Sequence, residues 1–339
     1  MATPADKELA SGFRFFSGMK RQSYRKPLQK IDEIKFIDLF AGIGGIHIAF
    51  DNVGAKCVFA SEKDEAARKT YKNYFEEKNP ILFAKGLDDS GLPNFNSDIT
   101  DITKLLDSGH DPLPNFDILA AGFPCQPFSN AGLRKGLEEA RGTLFFDILS
   151  ILKAKLDSPY PVKAFFLENV RGLMNHRSGD ELTIDIIERK LVDLGYTFEK
   201  YLVKASDYGV PQHRPRVFMI GFLNPDVAAR FECPPKVSLP PKALEQILGG
   251  QVDRTIGFTL RVGGRGSGLG DRRNWDTYLV DGKTLRIGAK EGLGLQGFPK
   301  DFGFPSDVSP VQQMKQLGNS VAVPAVEAFA RSMMEALKG

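Results

Sequence analysis

Cysteine is scarce in this chain. Its three copies, Cys57, Cys125 and Cys233, are far apart among 339 residues. They form no CxxC pair and no disulfide framework, which excludes the usual cysteine-rich zinc sites and fits a reducing compartment. Four scattered histidines add no metal signature. No apolar run reaches the ~18 residues of a membrane span, and no secretory signal is visible. Charge of one sign is also short: a net +3 permits a polyanionic partner without demanding one. The expectation is a soluble, cytoplasmic protein with no metal and no membrane contact.

What the chain does have is length and pattern. With 42% hydrophobic residues it can fill one large core and a smaller domain. Residues 1–34 read as a basic leader, either a solvated tail or an arm against DNA phosphates. From 35 to about 222, β-rich runs alternate with helical spacing. The strand candidates are 35–39, 56–60, 116–121, 164–167 and 217–220; the helices are 64–74, 142–156 and 181–194, with a last one over 324–337. Such alternation predicts an α/β fold, a mainly parallel sheet flanked by helices. After Gly221, prolines mark a connector, and 249–273 turn to glycine and arginine. Trp275 and the arginines there give that stretch a polyanion-facing look.

Two turns carry the chemistry. Phe36 to Gly45 is a strand entering a glycine-rich turn, with Glu62 following the next strand 17 positions after Gly45. Glycines at 42, 44 and 45 allow close backbone approach to a ligand, and a carboxylate at 62 suits ribose hydroxyls. A turn that serves packing alone is the other reading. Asp98-Ile99 ends the third apolar stretch, where it can meet an adenine amino group or simply lie at the surface. The second turn, Gly122-Phe123-Pro124-Cys125-Gln126-Pro127, places a cysteine between prolines just past a buried strand. It reads as a nucleophile held at the sheet's carboxyl edge or as an inert buried thiol. Further along lie Phe165 to Val170, with Glu168 at a strand end, Gln212-His213-Arg214-Pro215-Arg216, and Gly318-Asn319-Ser320-Val321. Arginines two apart face one way if extended.

In this order the segments resemble the motif series of the DNA cytosine-5 methyltransferases, bacterial enzymes of the restriction-modification type. Phe40-Ala-Gly-Ile-Gly-Gly45, Pro124-Cys125-Gln126, Glu168-Asn169-Val170, Gln212-x-Arg-x-Arg216, Leu295-Gln-Gly-Phe-Pro299 and Gly318-Asn-Ser-Val321 carry the resemblance. It implies a Rossmann-like, S-adenosyl-L-methionine-dependent fold that releases S-adenosyl-L-homocysteine. By the same resemblance Cys125 attacks C6 of a flipped-out cytosine, because C5 alone is too weak a nucleophile. Glu168, if protonated, meets N3; Arg214 orients the base, and Arg216 either shares that task or holds Glu168. Phe40, Gly42, Gly44, Glu62, Asp98, Ile99, Pro124 and Asn319 are implied around the cofactor.

The resemblance also divides the chain. Residues 35–225 and 286–339 form the catalytic domain, and 226–285 a target-recognition domain on double-stranded DNA. Ala131, Arg134, Arg141, Gln212, Thr259, Arg261, Arg265, Arg272 and Arg273 are its implied DNA contacts. A monomer is expected, with a separate cognate endonuclease as a possible companion. Two departures stand out: Lys290-Glu291 where Arg-Glu is usual, and Lys63 where many members carry an aromatic residue. The competing readings are a transfer RNA cytosine-5 methyltransferase and a catalytically silent DNA-binding module.

Overall fold

Residues 33–84, 92–124, 144–263 and 266–339 are described by the structure, a computed structural model. In chain order the elements begin β1 (Lys35–Leu39), α1 (Gly45–Asn52), β2 (Lys56–Ser61), α2 (Glu65–Phe75), β3 (Phe95–Asn96) and α3 (Ile99–Asp107). Then come β4 (Ile118–Gly122), α4 (Leu144–Leu156), β5 (Ala164–Val170), β6 (Arg177–Ser178), β7 (Glu181–Leu182), α5 (Thr183–Asp193) and β8 (Glu199–Lys204). The remainder is β9 (Pro215–Phe222), α6 (Pro225–Ala228), α7 (Ala243–Leu248), β10 (Thr277–Val280), β11 (Lys283–Arg286), α8 (Ala289–Gln296), α9 (Pro310–Asn319) and α10 (Val323–Lys338).

Seven strands form one sheet in the order β3-β2-β1-β4-β5-β9-β8. The pairs from β3 through β5 are parallel, and β9 runs antiparallel to both β5 and β8. Parallel strands are covered on both faces, so they read as continuous apolar runs. Phe36, Ile37, Leu39, Ile118, Leu119, Ala120 and Phe165 to Leu167 are accordingly buried. On one face Ile148, Leu149, Ile151 and Leu152 of α4 pack with Ile184, Ile187 and Leu191 of α5. Helix α10 closes against α1, burying Val326, Phe329, Ala330 and Met333.

The order places a topological switch between β1 and β4: the chain moves outward one way through β2 and β3 and the other way through β5. Ligands of open α/β sheets bind outside the carboxyl ends at such a point. Here the strands that leave it lead to Phe40 on one side and to Gly122-Phe123-Pro124 on the other. In the stretch 249–286 the regular structure is the short β10–β11 hairpin, with Leu260, Trp275 and Tyr278 as its buried apolar centre. Trp275 is 1% exposed and its indole N–H donates to the Gly263 carbonyl at 2.9 Å. This corrects the expectation of a polyanion-facing tryptophan: it anchors the loop from within.

Candidate active site

Phe40 leaves β1 with φ of 57°, a left-handed backbone for a bulky residue. Such strain costs on the order of 1–3 kcal/mol and gathers at ligand sites. Gly44 then caps α1 with φ of 87°, where a Cβ would stand 2.2 Å from the Phe75 ring. Gly42 also has positive φ, but nothing lies within 4 Å of its Cβ position, so open space faces the turn there. Glu62 sits behind this turn. Its Oε2 accepts the Gly42 N–H at 2.8 Å and its Oε1 the Asp64 N–H at 2.7 Å. Each carboxylate oxygen offers two lone pairs, so one on each remains for a ligand's paired hydroxyls. Burial raises the Glu62 pKa, with the Asp64 and Gly42 N–H groups opposing it. A nucleoside with a free diol fits these residues.

Asp98 is less available to an adenine than the sequence implied. It caps α3, taking the Thr100 N–H at 3.1 Å and hydroxyl at 2.9 Å, while its Oδ2 lies 2.8 Å from Lys63 Nζ. Burial works to raise its pKa, but Lys63 and Thr100 together hold it below the usual carboxylate range. Ile99 is buried in the first turn of α3, and Asn319 is exposed at the end of α9.

At the end of β4, Phe123 is buried and Pro124 exposed. Cys125 lies outside the described residues, as do Ala131, Arg134, Arg141 and Arg265. The neighbour of that exit is well defined. Gly122 is in register with Glu168 of β5, and a Cβ on Gly122 would stand 3.7 Å from Glu168 Oε2. Glu168 is buried, and Arg216 Nε lies 2.9 Å from its Oε1. The N–H is not aimed well enough to make that contact a good hydrogen bond. Burial raises the Glu168 pKa; the charges of Arg216 and then Arg214 pull against it. The net upward direction favours a protonated acid.

The two arginines lie near the same acid but make different contacts. Arg214 precedes β9 and turns inward, 2% exposed, onto the carbonyls of Leu260 (3.2 Å), Gly318 (3.1 Å) and Ser320. Arg216, inside the strand, takes Glu168. The close contact with Glu168 therefore belongs to Arg216, while Arg214 turns its terminal nitrogens onto backbone carbonyls and its buried Nε has no hydrogen-bond partner among the described residues. Gln212 is corrected too: it is fully buried, donating to Leu295 O at 2.7 Å and accepting from Leu260 N at 3.2 Å, so it is not free to touch DNA. Thr259 donates its hydroxyl to His213 O. Arg261, Arg272 and Arg273 are exposed, and Arg273 pairs with Asp271 at 2.8 Å.

Sequence reasoning missed Asn169. Its amide donates to Phe123 O at 3.0 Å, and its Oδ1 accepts the Val170 N–H at 2.8 Å. An amide beside a buried strand-end carboxylate was the available signal. Asp38 was missed as well: it is fully buried in β1, two residues before Phe40, and neither carboxylate oxygen has a hydrogen-bond partner of good geometry.

The chain is 38% identical to the Type II methyltransferase M.NlaX of Neisseria lactamica, over 89% of this chain and 97% of that protein. It is 37% identical to M.HpaII of Haemophilus parainfluenzae, over 90% of each. Among solved structures, Spodoptera frugiperda DNMT2 (a triple mutant) aligns with a TM-score of 0.59 at 20% identity, covering 89% of this chain and 100% of that one. A candidate DNA modification methyltransferase encoded in an E. coli prophage gives 0.61 at 19%, covering 91% and 100%. The C-5 cytosine-specific DNA methylase family matches residues 34–254 and 271–335, and with that match over most of its length the chain belongs to this family.

Proposed function

We propose that this DNA cytosine-5 methylase takes its methyl group from S-adenosyl-L-methionine and acts through Cys125 on a cytosine flipped out of a short double-stranded sequence. The observation that carries the reading is the Glu168–Arg216 pair, set beside the β4 exit that leads to Cys125 and across the switch point from the Phe40 turn. When bound, the sulfonium cofactor supplies an electrophilic methyl group and leaves as S-adenosyl-L-homocysteine. Phe40, Gly42, Gly44 and Glu62 hold it, with Asn319 and Pro124 at the rim.

The protein's part is to make C5 nucleophilic. A free thiol with a pKa of ~8.5 is a few per cent ionised at neutral pH. As the thiolate it adds to C6: the Sγ–C6 bond forms, and the ring's π electrons shift toward C5 and N3. Glu168, in its protonated form, which burial favours, donates a hydrogen bond to N3 and takes up the charge that develops there. Arg216 orients Glu168 and lies on the base side of the pocket. After C5 is methylated its proton passes to water, and the returning electron pair breaks Sγ–C6 and frees the thiolate.

Residues 226–285 supply target recognition, with Arg261, Arg272 and Arg273 on bases or phosphates. Flipping costs a few kcal/mol, which these contacts offset. Similarity to Type II methyltransferases supports a restriction-modification setting, and we read the protein as a cytoplasmic monomer beside a separate endonuclease that acts on the same site.

Bisulfite sequencing of plasmid DNA from cells expressing this chain, beside a Cys125→Ser control, tests the reading. Methylation is expected at one short sequence and absent in the control, while the Ser variant still binds cofactor. Unmethylated DNA from folded protein overturns it, and labelled cofactor with transfer RNA then tests the RNA alternative.

A further inference from the structure

Arg214 joins two segments that belong to different ligands. Its guanidinium holds Leu260 O on one side and Gly318 O and Ser320 O on the other. Leu260 leads into the exposed Arg261 of the recognition region. Gly318 and Ser320 flank Asn319 where α9 ends. The recognition side is laced to the strand approach at further points: Gly257 N donates to Pro211 O (2.7 Å), His213 N to Gly257 O (2.8 Å), and the Thr259 hydroxyl to His213 O.

Two bare glycines complete the path. A Cβ on Gly318 would stand 2.6 Å from the Arg261 carbonyl carbon and 2.8 Å from Val262 N, so backbone packs directly on backbone there. A Cβ on Gly45 would stand 2.8 Å from Val321 Cγ2 and 3.0 Å from Ser320 Oγ. The recognition segment, the end of α9 and the first turn of α1 are thus stacked in contact, with no side chain on either glycine to act as a cushion. Interiors packed this closely transmit displacement rather than absorb it.

We propose that Arg214 is a positioning residue that couples the two ligand sites: a cofactor in the 40–45 turn restrains Arg261-Val262 through residues 318–321, and DNA on Arg261 tightens the turn in return. Reciprocity is required by linkage. Arginine suits the task because a planar fork reaches carbonyls of two segments at once, whereas a lysine ammonium is a single point on a flexible stem. The proposal rests on the reading that the glycine turn holds the cofactor.

Hydrogen exchange on the full chain, with S-adenosyl-L-homocysteine as the probe, tests it without DNA. In the wild type the probe is expected to slow exchange at 40–45 and, by roughly fivefold or more, at 259–263. Arg214→Lys keeps the slowing at 40–45 and loses it at 259–263. Protection of the turn alone in the wild type overturns the coupling; equal protection of both segments in Arg214→Lys overturns the role of Arg214. Protection of neither overturns the cofactor reading and this proposal with it. Should Arg214→Lys fail to fold, Thr259→Val deletes one strap to His213 without touching the buried guanidinium. It is expected to cut protection at 259–263 about twofold, and unchanged protection overturns the proposal.

Discussion

The Asn169 amide donates to the Phe123 carbonyl at 3.0 Å, tying the end of β5 to the end of β4 two residues before Cys125. Asn169→Ala leaves that carbonyl buried without its donor. A loss of about 1–3 kcal/mol of stability is expected, together with a lower single-turnover methylation rate and nearly unchanged cofactor affinity. Thermal unfolding and rapid-quench methylation check the two parts. Full rate in a destabilised variant would show that the tie is structural and does not place the nucleophile.

Glu168 should impose a falling limb on the pH–rate profile. Its folded pKa lies above the ordinary glutamate value, chiefly through burial, so the protonated acid persists to higher pH and is lost as pH rises through that value. Arg216 pulls the pKa down, so Arg216→Met raises it further. The limb is then expected to move to higher pH while the maximal rate drops. A limb that moves to lower pH in single-turnover assays contradicts the assignment.

Glu62→Ala removes a carboxylate that accepts the Gly42 and Asp64 N–H groups. Hydrogen bonds to a charged group contribute about 1.5–3 kcal/mol each. Calorimetry with S-adenosyl-L-homocysteine is expected to show a loss of at least roughly 10- to 150-fold in affinity, the equivalent of one such bond. Unchanged affinity would remove Glu62 from the ribose site.

Asp38 should make the fold less stable as pH rises. Burial lifts its carboxyl well above the usual range, with the His47 N–H opposing. A carboxyl raised in the folded state contributes most below its unfolded pKa of ~3.9, and that contribution is lost as pH climbs through the folded value. Asp38→Asn carries no charge at any pH. The difference in unfolding free energy, variant minus wild type, is therefore expected to grow with pH in urea titrations; a flat difference contradicts the shift.

Much of the fold is legible because its parallel strands are buried on both faces and read as apolar runs. Lys35–Leu39 matches its predicted span, and α2 and α10 fall within a residue of theirs. Strand β8 gave no signal, since it is an edge strand in which only Val203 is buried. The candidate residues near strand ends, Phe40, Glu62 and Glu168, could be named for the same reason as the strands. That Arg214 binds backbone carbonyls while Arg216 meets Glu168 was not legible, because those carbonyls, of Leu260 and Gly318, come from segments far along the chain. The burial of Gln212 and Trp275 was hidden too, because polar groups that satisfy distant backbone atoms leave no local pattern.

The direction of β9 has a consequence for how the acid's partner is held. Phe40 and Glu62 come just past the carboxyl ends of the parallel strands β1 and β2. Arg216 instead arrives as its strand enters, opposite Val170 and diagonal to Glu168 on a continuous backbone ladder. The spacing between this acid and its arginine is therefore fixed by sheet register, like two teeth on meshed racks. Warming that sets the surrounding turns in motion should leave this pair in place until the central strands themselves separate.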